Sequence, residues 1–162
     1  MIKPIYQSSK KLQLYTDAAT TKGFGGVFNS HWFMGSWGDA LTNTHITILE
    51  MYPIVLALYL WGDTLQNSCV LFHSDNEAVV EILNKQSSKD PTIMILVRRF
   101  VIRCLQLNIS FHLKHIPGVN NTISDLLSRF QVREAKILAP HLDEQPSVIH
   151  PDWELSNWLQ NP

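Results

Sequence analysis

Four acidic residues stand where chemistry could be done. Asp17 closes the alternating run Leu12-Gln13-Leu14-Tyr15-Thr16-Asp17, and Asp75 closes the apolar run Cys69-Val70-Leu71-Phe72-His73-Ser74-Asp75. Glu50 lies among Ile48, Leu49, Met51 and Ile54, where an unpaired carboxylate is costly to bury. Asp125 follows Ile123-Ser124 and precedes Leu126-Leu127. Each has an ordinary reading: Asp17 as a turn residue, Asp75 as a cap for the next helix, Glu50 and Asp125 as partners of a helix N-terminus. Gathered on one edge of one sheet, the four would repel one another strongly unless cations lay between them. Oxygen-only donors of this kind suit Mg²⁺ or Mn²⁺. A pair of such ions can clamp the attacking and leaving oxygens of a phosphodiester.

The elements that must position these acids follow from periodicity. Residues 12–17 alternate as a strand, a turn-like segment with Lys22-Gly23 follows, and Gly26-Val27-Phe28 folds back beside it. Asn29-Ser30 supplies a hairpin turn into a third strand at 31–37, with Trp32 and Trp37 on opposite faces. A helix over 46–65, capped by Thr44 or Thr47, is apolar on almost every side and hence buried. Pro53 requires that helix either to begin near Glu50 or to kink. Residues 69–75 read as a strand covered on both faces. An amphipathic helix at 76–86 and a polar loop at 87–91 come next. A helix at 92–107 turns Ile93, Leu96, Val97, Phe100, Val101 and Leu105 inward and Arg98, Arg99 and Arg103 outward. A last strand at 108–116 and a helix at 122–130 complete the order.

That order predicts an α/β fold: a five-stranded mixed sheet, three antiparallel strands and then two parallel ones, flanked by helices. In such sheets ligands sit beyond the carboxyl ends of the parallel strands, where Asp17 and Asp75 fall. Residues 1–10 read as a lead-in segment and 11–130 as the domain. Residues 131–162, with four prolines, two tryptophans and little periodicity, read as a linker or docking segment.

Composition narrows the function classes. The 162 residues are 45% hydrophobic and 17% charged, a globular composition with enough apolar side chains for one sizeable core. The net charge of −1 is far from that of a free-standing nucleic-acid binder, so any such binding must draw on a local patch, bound metal or a neighbouring domain. Cys69 and Cys104 sit in apolar runs without partners at metal-ligand spacing and read as reduced cysteines of an intracellular protein. The most apolar stretch, 51–61, is too short to span a bilayer, and no membrane association is expected.

The local motifs add a resemblance. Tyr15-Thr16-Asp17-Ala18, Ile48-Leu49-Glu50, Ser74-Asp75-Asn76 and above all His115-Ile116-Pro117-Gly118-Val119-Asn120-Asn121-Thr122-Ile123-Ser124-Asp125-Leu126-Leu127-Ser128-Arg129 resemble the ribonuclease H domain of retroelement reverse transcriptases, gypsy-like and especially DIRS-like. The resemblance covers about residues 11–130. It implies a ribonuclease H-like fold and endonucleolytic cleavage of the RNA strand of an RNA/DNA hybrid, leaving 5′-phosphate and 3′-hydroxyl ends. It implies Asp17, Glu50, Asp75 and Asp125 as ligands of two Mg²⁺ or Mn²⁺ ions, with Asp17 shared between them. One ion would activate water, and the other would stabilise the departing 3′ oxygen. His115 matches the mobile-loop histidine of the family, which helps product or metal release. Ala18, Ala19, Asn76 and Asn121 fall where substrate contacts are expected, and a polymerase module elsewhere would supply the grip.

The chain departs from the family at three places. Thr47 replaces an asparagine that contacts the minor groove, Pro53 follows Glu50 closely, and only Lys89 occupies the place of a basic extra helix. Two other readings compete. One is an inactive ribonuclease H-like remnant kept as an interaction module. The other is an integrase- or transposase-like relative, against which the late acid, Asp125, counts.

Overall fold

The computed structural model describes residues 12–41 and 43–162; the lead-in segment at 1–10 lies outside them. Five strands form one sheet: β1 (Leu12–Ala18), β2 (Gly23–Phe28), β3 (His31–Ser36), β4 (Cys69–Ser74) and β5 (Ser110–His115), in the order β3-β2-β1-β4-β5. β1 pairs antiparallel with β2, and β2 with β3, through hairpins. The second hairpin turns at Asn29, whose φ of 54° is one that asparagine tolerates. β1 pairs parallel with β4, and β4 with β5, so helical crossovers must separate them in the chain. The expected sheet is thus present. Its parallel pairing brings the ends of β1 and β4 side by side.

The first crossover is α1 (Ile46–Leu60), in which every residue from Thr47 to Leu58 is buried. It starts at Ile46, not near Glu50, which puts Pro53 inside it. There the missing amide leaves one turn without its hydrogen bond. The cap is neither Thr44 nor Thr47: His45 Nδ1 accepts the Thr47 amide at 3.1 Å. The expected continuation to residue 65 breaks at Trp61, and a separate short helix, α2 (Gly62–Leu65), follows.

The second crossover comprises α3 (Glu77–Lys85) and α4 (Pro91–Leu107). The Asp90 carboxylate caps α4 by accepting the amides of Thr92 and Ile93. The buried face of α4 runs through Ile93, Leu96, Val97, Phe100, Cys104 and Leu107. Leu105, expected inward, is 72% exposed, because the helix period puts Cys104 on the inner stripe and carries its neighbour past it. Arg99 and Arg103, expected as a solvated face, are pinned instead. Arg99 donates to the Asn161 carbonyl at 3.1 Å and lies 5.0 Å from the Trp158 ring centroid, while Arg103 covers Tyr59 at 4.8 Å.

On the other side, α5 (Thr122–Ser128) lies on β2 and β1, and α6 (Val132–Leu138) follows it. Gly25 makes that approach possible, since a Cβ there would come within 2.6 Å of Leu127 Cβ. Beyond α6 the chain runs as a strap along the β3 edge. The Asp143 amide donates to the Ser30 carbonyl at 2.8 Å and the Ser147 amide to the Trp32 carbonyl at 2.7 Å, covering an edge that would otherwise be open. α7 (Leu155–Gln160) then buries Leu155 and Trp158 against the core, where the Trp158 ring packs on Tyr52 and Tyr59. No described helix is long and apolar enough to cross a membrane.

The docked segment predicts a stability effect far from the acids. Trp158→Ala should lower the free energy of unfolding by about 3 kcal/mol in denaturant titration. A loss below about 0.5 kcal/mol, the range of an ordinary surface change, would show that α7 does not belong to the core.

Candidate active site

Asp17 sits near the end of β1, 4% exposed and paired in register with Gly25. Its Oδ1 accepts the amide of Ala18 at 2.9 Å. Asp75 directly follows β4, next to the fully buried Ser74, whose hydroxyl accepts the amide of Asn76 at 3.2 Å. Glu50 projects from the second turn of α1 and is 5% exposed. One carboxylate oxygen from each of Asp17, Glu50 and Asp75 lies within 4.8 Å of the others. The fold therefore brings together a strand end, a neighbouring strand end and a buried helix.

This arrangement is electrostatically unfavourable. Burial, and then the charge of Asp75, push the Asp17 carboxyl up to about 7. Burial, followed by the charges of Asp17 and Asp75, pushes Glu50 up to about 10. Asp75 is also raised, first by burial and then by the charge of Asp125, against the lowering effect of a hydrogen bond from Asp17. Among the described residues no lysine or arginine pairs with any of the three. Glu50 Oε2 is buried without a hydrogen-bond partner. An all-oxygen cluster with an unpartnered buried oxygen fits a hard divalent cation.

Asp125 stands beside this trio. Its carboxylate interacts with Asp17 by hydrogen bond and charge, while its Oδ1 accepts Arg129 Nε at 3.1 Å. Arg129 was not singled out from the sequence, although its spacing of four from Asp125 on one helix is the signal for such a pair. His115 ends β5 next to Asp75: its Nε2 lies 3.2 Å from the Asp75 carbonyl oxygen, and its Nδ1 3.9 Å from Glu77 Oε1. Glu77 is the other neighbour that the sequence reading left unnamed.

The remaining site residues are placed differently. Asn76 caps α3, its Oδ1 accepting the Val79 amide at 3.0 Å. Asn121 is buried and donates from Nδ2 to the Thr16 carbonyl at 2.8 Å, which ties the entrance of α5 to β1 one residue before Asp17. Ala18 and Ala19 are buried, and their amides are committed to Asp17 Oδ1 and the Gly23 carbonyl. The Ala19 carbonyl accepts the Trp37 indole N–H at 2.7 Å.

No protein-family profile matches the chain, and no curated protein matches it either. Solved structures do. LC11-RNase H1, solved in complex with an RNA/DNA hybrid, superposes with a TM-score of 0.60 at 21% identity, over 72% of this chain and 93% of that one. RNase H1 from Halobacterium salinarum NRC-1 gives 0.59 at 14% identity over 77% and 99%. The N-terminal RNase H domain of a Mycobacterium tuberculosis protein, fused to maltose-binding protein, gives 0.58 at 16% identity over 80% and 99%. The chain has the ribonuclease H-like fold.

The carboxylate shifts set the direction of a pH dependence. Because these folded-state values are raised, the native chain holds protons that the unfolded chain has already released. The stability they contribute is full below the ordinary values of 3.8 and 4.5. It is lost as pH rises through about 7 for Asp17 and toward about 10 for Glu50. In chelator, the melting temperature should therefore fall as pH rises across that window, and Mn²⁺ should remove most of the fall. A metal-free profile that is flat, or that rises with pH, would contradict the buried repulsion.

Proposed function

We propose that this chain is a divalent-metal-dependent endonuclease that cleaves the RNA strand of RNA/DNA hybrids. The observation that carries this reading is the convergence of Asp17, Glu50 and Asp75, raised by burial and mutual charge, at the strand ends of a ribonuclease H-like sheet. A fold neighbour, LC11-RNase H1, was solved with an RNA/DNA hybrid, which supports the same substrate class here. Pro53 does not disturb the arrangement, since Glu50 joins the trio from within a continuous helix.

Asp17, Glu50, Asp75 and Asp125 would hold two Mg²⁺ or Mn²⁺ ions. When bound, these ions supply an acidified water and a counter-charge for the leaving 3′ oxygen. The chain's own groups set the geometry around them. Glu50 is fixed by the buried α1, Asp17 is oriented by the Ala18 amide, and Asp125 is held between Asp17 and Arg129. His115, at the rim beside Asp75, would assist departure of product. Asn76 would offer its side-chain NH₂ to a 2′-hydroxyl, the group that distinguishes RNA from DNA. Asn121 acts by fixing the loop before α5, because its own amide is tied to Thr16.

The run from His115 to Arg129 supports a finer assignment to a retroelement reverse transcriptase, with a polymerase module as partner. Two features agree with a need for such a partner. The net charge is −1, and Arg99 and Arg103 are engaged by Trp158 and Tyr59 and thus withdrawn from a nucleic-acid surface. The hybrid affinity of the chain by itself should be modest and steeply dependent on salt.

The test is incubation with an end-labelled RNA/DNA hybrid and Mn²⁺ beside an Asp75→Asn variant. Cleavage of the RNA strand alone is expected, falling on the order of 10²-fold or more in the variant. An intact fold that binds Mn²⁺ but leaves hybrid uncut, with and without a polymerase module, would overturn the assignment.

A further inference from the structure

Phe130 carries two anomalies at once. Its φ is 64°, the left-handed region that bulky side chains avoid. The other non-glycine residues with positive φ among those described are three asparagines and one glutamine, Asn29, Asn67, Asn108 and Gln86. The position explains the backbone: the Phe130 amide donates to the Leu127 carbonyl and the Gln131 amide to the Leu126 carbonyl, the bonding pattern that closes a helix at a residue where glycine is preferred. Phenylalanine is a poor choice for that backbone, and burial does not compensate for it, since the side chain remains 43% exposed.

The ring rests on the backbone of Gly23, close enough that a Cβ there would approach it to 2.9 Å. The Cε1–Cζ end of the ring is thus held against β2, while the residue as a whole stays exposed. The adjoining chain segments carry exposed cations. Lys22 precedes Gly23, Arg129 precedes Phe130, and Arg133 lies in the first turn of α6, all three exposed; Glu134 is the one acid in the 129–134 stretch. Arg129 also links this patch to the site through its bond to Asp125.

We propose that Phe130, with Lys22 preceding the glycine it rests on and Arg133 three residues further along the chain, is a docking platform for an unpaired base of a nucleic-acid strand extending from the hybrid. Inside a hybrid both faces of each base are covered by stacking, so away from the duplex ends an open aromatic ring meets a base face only where the strand is single. Base–aromatic stacking tolerates any sequence, and flanking cations take the phosphates. A strained, supported and exposed ring at the edge of a candidate site is accounted for by such a role and not by core packing.

This inference rests on the hybrid-cleaving reading, and its test separates the two. In an Asp75→Asn background, which prevents cutting, the binding of a fluorescent blunt hybrid is compared with that of the same hybrid carrying a single-stranded oligothymidine extension. The extension should raise affinity, and Phe130→Gly should remove roughly five-fold or more of that gain without lowering the melting temperature, because glycine suits the backbone. Phe130→Trp should keep the gain, and Arg133→Ala should reduce the slope of log affinity against log salt by about 1. A parent protein that binds neither hybrid at low salt, with and without a polymerase module, overturns the hybrid-cleaving reading. A parent that binds both equally overturns only the platform, as does a Phe130→Gly protein that keeps the full gain. If Phe130→Gly does not fold, Phe130→Asn, which also tolerates this φ, takes its place.

Discussion

Three carboxylates that repel one another, two of them buried and the third partly so, are the constraint on which the rest of this structure depends. Asp17, Glu50 and Asp75 come from three elements with separate folding logic, and nothing local holds them together. Their proximity is imposed by packing. β1 and β4 pair in register from Leu12 to Tyr15, which fixes the two strand ends. α1 is buried along its length, which fixes Glu50. A folded chain that stores this repulsion has a ready gain from cation binding, because a ligand that binds only the native state stabilises it.

The supporting layers explain how such a site is tolerated. α1 contributes an apolar surface from Ile48 to Leu58, its own Tyr52 included, that packs under the sheet, and the aromatic side chains Phe24, Phe33, Trp37 and Trp61 pack in the same core. Asn121 closes the opposite side by tying α5 to the β1 backbone. The strap and α7 complete the shell, covering the β3 edge and the aromatic surface of Tyr52 and Tyr59. The stability needed to hold three acids together is therefore drawn from elements remote from them.

How much of this was legible in the sequence depended on whether the controlling interaction is local. Asp17 and Asp75 could be placed at strand ends because alternation and a short apolar run define strands directly, and the parallel pairing follows from the crossovers. Glu50 stood out because a charge amid Ile48, Leu49, Met51 and Ile54 contradicts its surroundings. What escaped was set by tertiary contact. His45 takes the cap expected of Thr44 or Thr47, and Leu105 turns outward by a single step of helix period. Arg99 is claimed by a segment that lies far along the chain and shows little periodicity, and Arg103 by Tyr59 of α1. Phe130 was read as the end of a helix, and no sequence rule would place an aromatic ring in the left-handed region after it.

The central claim is that Asp17, Glu50 and Asp75 form a divalent-cation site at the strand ends. The most direct measurement is anomalous diffraction at the manganese absorption edge from crystals grown with Mn²⁺. The account predicts an anomalous peak between the three carboxylates, with Glu50 Oε2 among its ligands and with Asp125 close enough to complete the shell. Well-ordered carboxylates with no anomalous peak between them, at Mn²⁺ concentrations that occupy other sites in the same crystal, would contradict it.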